Sequence, residues 1–324
     1  MKRYFSLLLV SMLVLLSACQ TSTEVSSSEM ISSVDSTEIL STAEATVVDR
    51  SGKTIEIPSS VERIVSLAPA TTEMLIDLGL GDKIVGIDNS FTETAEVSSE
   101  ALVFDMMAPD IEQIVSLSPD LVIASVLTTG GAGDPLAKVE ESGICVTYIP
   151  SSMSISEIQE DLRFVSKITN TTDEGEEIIS QMNEQMESIR LAAEDRGEEP
   201  KKVLFVIGSS PNIYTFGNNT YLNEMIGIVG GENIFADQEG WISVSTEEIV
   251  LKDPDIIFTN EGYLEDPISA IKNIPGLENS SAVKNNQVFY IDSNASSRPN
   301  EHIVLALEEM AEAIGLDVSL NEVA

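Results

Sequence analysis

Short β-branched apolar runs alternate with stretches of helical spacing along most of the chain. Arg63-Ile64-Val65-Ser66-Leu67 predicts a strand, and Thr71 to Leu78 carries helical spacing that ends at Gly79. Ile84 to Ile87, Leu121 to Ala124 and Val146 to Ile149 predict further strands, separated by helices near Ile111 to Leu117 and Pro135 to Glu141. The alternation resumes with strands at Val203 to Ile207, Ile256 to Thr259 and Val288 to Ile291, and with helices after Tyr221, Ser245 and Pro299. Strands alternating with helices imply a mostly parallel sheet covered on both faces. Between Ile155 and Arg196 the spacing is helical throughout, with one interruption at Asn170-Thr171-Thr172, where Thr172 suits the N-cap of a second helix. A long helix here would join two lobes, and the chain beyond the tether described below is longer than one hydrophobic core usually holds.

The pattern also repeats internally. Glu112-Gln113-Ile114-Val115 precedes Pro119-Asp120-Leu121-Val122 at the same offset that separates Glu247-Glu248-Ile249-Val250 from Pro254-Asp255-Ile256-Ile257. Two such copies predict two related lobes. In each, a short helix with Glu near its first turn feeds a buried strand, and Asp110 and Ser245 are suitable capping residues.

The amino end departs from this alternation. Met1-Lys2-Arg3, the apolar run Phe5 to Leu16 and the small residues before Cys19 have the form of a secretory signal, with too few apolar residues to span a bilayer. Leu16-Ser17-Ala18-Cys19 is similar to the lipobox of bacterial lipoproteins, which implies cleavage before Cys19 and diacylation of its sulfur. Residues 20–45, rich in Ser, Thr and Glu, lack the apolar surface to offset chain entropy and read as a tether. With Cys19 lipidated, Cys145 is the remaining thiol. It lies in Ile144-Cys145-Val146, a packing context, and no intramolecular disulfide is expected.

A formal net charge of −37 would be repelled by phosphate backbones and anionic headgroups, which excludes nucleic acid as a partner. The sequence holds a single histidine, His302, so a multi-imidazole zinc or manganese site cannot be assembled, and no Ser-His-Asp set is proposed. There is no phosphate loop and no Gly-x-Ser-x-Gly elbow, so no catalytic residue is assigned and the chain reads as a non-enzyme.

The block Arg63 to Glu73, the block Asp110 to Val122, Gly230-Gly231-Glu232-Asn233-Ile234-Phe235 and the block Glu247 to Ile257 together resemble the helical-backbone class of periplasmic binding proteins, which serve importers of siderophores, haem and cobalamin. The resemblance runs from about Val47 to the end. It implies an α/β fold of two Rossmann-like lobes joined by a long rigid helix, with the ligand cleft between them. On that reading, 1–18 is the lipoprotein signal peptide, 19–45 the tether, 46–153 the N-terminal lobe, 154–198 the inter-lobe helical segment and 199–324 the C-terminal lobe. The chain would be a monomer, anchored by its lipid to the outer face of a bacterial cytoplasmic membrane, without an intrinsic cofactor.

The resemblance places docking to the ABC permease subunits on Glu112 and Glu247, the glutamates that the repeat picks out independently. It places the ligand against strand-end loops, with Pro69, Ala70, Thr71, Phe91, Met106, Met107, Ser125, Tyr214, Trp241, Asp292 and Arg298 as cleft candidates. These loops pair apolar and thioether surface with small polar groups, which suits a bulky metal chelate better than a naked ion. Some haem carriers of the class place a methionine ligand at the position of Met107, so Met107 is an axial ligand if the cargo is haem; His302 is a further metal-binding candidate. Cobalamin binders carry tryptophans where this chain has Met106 and Ser125, although Tyr214 and Asp292 match ligand-contacting positions there. Arg298 alone among the cleft loops is cationic, which fits a neutral hydroxamate chelate, or haem with one propionate on Arg298, better than a tri-anionic catecholate. An enzyme or a surface adhesin are the rival classes, and an adhesin leaves the paired Glu blocks unexplained.

Overall fold

In a computed structural model of the chain, residues 46–129 and 133–317 are described. The expectations for segments 1–18 and 19–45, Cys19 included, lie outside the described residues. An antiparallel hairpin, β1 (Thr46–Val48) with β2 (Thr54–Glu56), opens the structure. The first half then runs β3 (Ile64–Leu67), α1 (Pro69–Asp77), β4 (Ile84–Asp88), β5 (Leu102–Phe104), α2 (Ile111–Ser116), β6 (Leu121–Ser125), α3 (Ala137–Glu141) and β7 (Cys145–Ile149). Its five strands are all parallel, in the order β5-β4-β3-β6-β7. Successive side chains of a strand point to opposite faces. Ile64, Leu121 and Ile123 therefore pack on one face with Met74 and Leu75 of α1, while Val65, Leu67, Val122 and Ala124 pack on the other with Ile114 of α2 and Val139 of α3.

The inter-lobe segment is a pair of helices, α4 (Ile155–Ile168) and the 24-residue α5 (Thr172–Asp195), about 36 Å long at about 1.5 Å per residue. The break falls where the sequence interrupts its spacing, but the N-cap is Thr171, not Thr172. Asn170 takes the left-handed turn (φ 60°), which brings Thr171 rather than its neighbour to the half-in position; its hydroxyl lies 2.9 Å from that of Thr169. Gly175 lets the two helices approach, since a Cβ there would lie 2.5 Å from Ser166 Oγ. Both helices serve both cores. Ile155 and Ile158 of α4 and Met182, Met186 and Ile189 of α5 join the C-terminal core, whereas Leu162, Val165, Ile168 and Ile179 join the N-terminal one.

The second half comprises β8 (Lys201–Val206), β9 (Ile213–Phe216), α6 (Tyr221–Ile228), β10 (Gly231–Asn233), β11 (Trp241–Val244), α7 (Thr246–Lys252), β12 (Ile256–Thr259), α8 (Pro267–Lys272), α9 (Ser281–Lys284), β13 (Val288–Tyr290), α10 (Ser293–Ser297) and α11 (Ile303–Ile314). A parallel sheet in the order β10-β8-β12-β13 is accompanied by an antiparallel ribbon of β9 and β11. Val203, Phe205 and Phe258 face α5, α6 and α11, and Leu204, Val206 and Ile257 face α7, α8 and α9.

The sequence repeat has a structural counterpart in each half. Asp120 Oδ2 accepts from Glu62 N and Arg63 N at 2.8 and 2.9 Å, and Asp255 Oδ2 accepts from Lys202 N at 2.9 Å. Each carboxylate thereby clamps the start of the adjacent strand, β3 or β8, and each is preceded by a left-handed residue, Ser118 or Asp253, both at φ 48°. Asp110 caps α2 through Gln113 N, and Ser245 caps α7 in a reciprocal box with Glu248.

Candidate functional site

The carboxyl ends of the parallel strands are where an α/β sheet leaves backbone and loop side chains free to meet a ligand. Here the carboxyl ends of both sheets contribute to one region. β3 runs into Pro69-Ala70-Thr71 at the start of α1, β6 ends at Ser125, and β7 continues into Pro150 and Ser151; opposite them stand Ser293 to Pro299 of the second half. Together they enclose a cavity of about 380 Å³. It adjoins a second cavity of about 390 Å³, sharing Ser151, Ser297 and Pro299, whose far wall includes Tyr221, Trp241 and Asn260.

Of the cleft residues predicted from sequence, Pro69, Ala70, Thr71, Met106, Ser125 and Arg298 line the first cavity and Trp241 the second. Trp241, about half exposed, packs edge-on against Phe216 and Tyr221 at 6.0 and 6.4 Å between ring centroids. Four of the predicted cleft residues, and the metal-binding candidate His302, line neither cavity. Met107 is 60% exposed. Met106 N donates to Asp88 Oδ2 at 3.0 Å and Met107 N to Asp105 Oδ1 at 2.9 Å, a turn that sends Met106 to the cavity and Met107 to solvent. Phe91 is buried beneath Arg298, whose guanidinium lies 5.8 Å from its ring. Tyr214 is exposed on β9, and Asp292 is occupied in capping α10, accepting from Ala295 N at 2.9 Å. His302 bonds Asp77 instead, Nε2 to Oδ2 at 2.8 Å.

Arg298 is the one Lys or Arg lining either cavity among the described residues, and its guanidinium is already engaged. It pairs with Glu73 of α1, lies 3.6 Å from Glu93 and donates to Ser90 O at 3.3 Å. Asn300 donates to the same Glu73. Burial pushes the Glu73 carboxyl up despite these partners. The expectation of a free cation for a ligand propionate therefore does not fit this arrangement, because binding there would have to displace a short, largely buried ion pair. Sequence reasoning missed Asp161, which lines the first cavity and is almost fully buried. Arg50 Nε reaches its Oδ1 at 2.6 Å, Ser152 holds its other oxygen, and burial raises its carboxyl. The signal was present in α4, where an acid stands between Ile158 and Leu162 on the apolar side.

The chain as a whole is similar to known proteins. A curated lipoprotein of Bacillus subtilis (strain 168), the uncharacterized ABC transporter substrate-binding lipoprotein YvrC, is 30% identical over 270 residues, 83% of this chain and 85% of that one. The vitamin B12-binding protein of Vibrio cholerae is 29% identical over 266 residues, 78% of this chain and 89% of its own. The solved structure of the periplasmic heme-binding protein RhuT from Roseiflexus sp. RS-1 superposes with a TM-score of 0.67 at 27% identity, covering 78% of this chain and 98% of that one. Residues 64–295 match the family described as periplasmic binding protein, and the chain, with its paired sheets and shared cleft, belongs to that family.

Proposed function

We propose that the chain is the lipid-anchored, extracytoplasmic substrate-binding protein of a bacterial ABC importer, which captures an iron chelate between its lobes and delivers it to the permease through Glu112 and Glu247. The observation that carries the cargo class is the cleft wall. Apolar groups, Met106 among them, dominate its lining with small hydroxyls between them, and its lone guanidinium is bound to Glu73. Such a wall favours a bulky ligand with little net charge: a hydroxamate siderophore complex, or haem held mainly through its macrocycle. Met106 puts a thioether at the cavity, the type of group that can serve as an axial haem ligand. The likeness to a heme-binding and to a B12-binding protein supports a metal-containing cargo. Cobalamin is the second reading, favoured by the Vibrio relative; the chain lacks the tryptophans of cobalamin binders at Met106 and Ser125.

Supporting the docking role, Glu112 and Glu247 are both exposed in the first turns of α2 and α7, helices that feed the equivalent strands β6 and β12. Equivalent positions on two lobes present a pair of charges to one partner, which orients docking more than it strengthens it. The protein carries out no chemical step in this role.

Titration with haem, a ferric hydroxamate and cyanocobalamin, followed by Trp241 fluorescence and the visible spectrum, separates the cargoes. A Soret shift with haem that Met106→Ala abolishes and Met107→Ala leaves intact identifies a haem carrier. Quenching by the ferric hydroxamate alone makes Met106 a packing residue and the protein a siderophore receptor. Binding of none of the three removes the metal-chelate reading.

A further inference from the structure

Outside both cavities, the end of α1 meets the turn that starts α11. Asp77 Oδ2 stands 2.8 Å from His302 Nε2, and one donor atom each from Asp77, Glu301 and His302 lie within 4.8 Å of one another. Glu301 is only 4% exposed, and among the described residues neither of its carboxylate oxygens has a hydrogen-bond partner. A buried carboxylate without partners is costly unless a proton or a cation neutralises it.

We propose that Asp77, Glu301 and His302 form a site for one divalent transition-metal ion of the zinc class, bridging the N-terminal lobe, through α1, to the C-terminal lobe. Two carboxylates carry the charge that a divalent ion balances, and the imidazole, which its bond to Asp77 pushes up to about 9, gives up its proton to the solvent on binding. The imidazole selects against calcium and magnesium, which favour all-oxygen shells of six or more ligands. Around a tetrahedral zinc ion with bonds near 2.0–2.1 Å, ligand atoms stand about 3.3 Å apart, so closing the site asks for shifts of about 1 Å in side chains. Asp77 and His302 side chains are each about one-third exposed, which leaves an entrance from solvent. Glu73 Oε2 lies 3.9 Å from His302 Nδ1, on the side where a carboxylate would receive the remaining ring N–H and orient the imidazole.

A proton on Glu301 could satisfy the same acid without any metal, and the experiment separates the two. The full chain, stripped with a chelator and dialysed, is titrated with Zn²⁺ alone by calorimetry, and with Co²⁺ as a visible probe. The site predicts one equivalent of Zn²⁺, a Co²⁺ d–d band that Zn²⁺ displaces, and a Tm that rises with Zn²⁺. Losing an outer-shell partner typically weakens a metal by about 10–100-fold, so losing a ligand in Glu301→Gln or His302→Ala weakens Zn²⁺ by about 100-fold or more. His302→Ala, at a partly exposed position, keeps the test open if Glu301→Gln fails to fold. Absence of Zn²⁺ binding overturns the site in favour of the proton. Equal binding by wild type and both variants also overturns it, as adventitious capture by an acidic surface.

Discussion

Asp161 illustrates how one residue ties sequence, packing and site together. A carboxylate that is almost wholly buried on the apolar side of α4 persists because Arg50, in the turn of the opening hairpin, reaches it at 2.6 Å. Removing one partner of a buried ion pair leaves the other uncompensated, so Arg50→Ala is expected to cost about 3 kcal/mol in urea unfolding. An unchanged midpoint and slope would show that Asp161 is answered without Arg50. The partners of such residues were not legible in the sequence, because they come from far along the chain: Arg50 is 111 residues from Asp161, and Glu73 is 225 from Arg298. The choice between Met106 and Met107 was equally hidden, since it is set by two hydrogen bonds of a turn that has no period. Pro69, Ala70, Thr71 and Ser125, placed at the cleft by the family resemblance, line the first cavity.

Elements were legible in proportion to their apolar content. β3, β4, β6 and β12 are buried along their whole length and stood out as continuous hydrophobic runs, as strands covered on both faces must. The three-residue strands β1, β2, β5 and β10 did not, and β10 in particular is a Gly-Glu-Asn segment without an apolar run. Its Gly231 is there for clearance, as a Cβ would lie 2.9 Å from Val203 Cγ2. The α4–α5 contact makes a sharper test of the same idea. In an open helix Gly→Ala gains about 1 kcal/mol, but at Gly175 the added methyl meets Ser166 at 2.5 to 2.6 Å, and overpacking costs about 1–3 kcal/mol. Gly175→Ala should therefore lower Tm; a rise would mean that the two helices can separate freely.

For the molecule as a whole, the paired Pro-Asp clamps are the strongest sign that both halves follow one plan, and they mark Glu112 and Glu247 as equivalent positions. In the proposed importer, Glu112→Ala combined with Glu247→Ala should abolish uptake while cargo affinity, measured by Trp241 fluorescence, stays unchanged. A double variant that transports normally would remove docking from these glutamates. The cleft was an implication of the family resemblance, and the two parallel sheets give it a physical reason, because both present their carboxyl ends there. How tightly the lobes are tied did not follow: the Arg298–Glu73 pair and the bond from Asn294 to Glu93 at 3.0 Å cross between them at positions with no sequence signature.

The sharing of α4 and α5 between two cores has a consequence for how the molecule is made. The first sheet is complete at Ile149, yet the face carrying Ile64 and Leu121, covered in part by Met74 and Leu75 of α1, is completed by Leu162, Val165, Ile168 and Ile179. A chain emerging amino end first thus exposes the rest of that face until the hairpin of helices has followed it. The same helices then present Ile158, Met182 and Ile189 to a second sheet not yet synthesised. Neither half is a finished object without the other, so the boundary between lobes is a boundary of shape and not of folding, and a cut between them would yield two fragments, each with an uncovered flank.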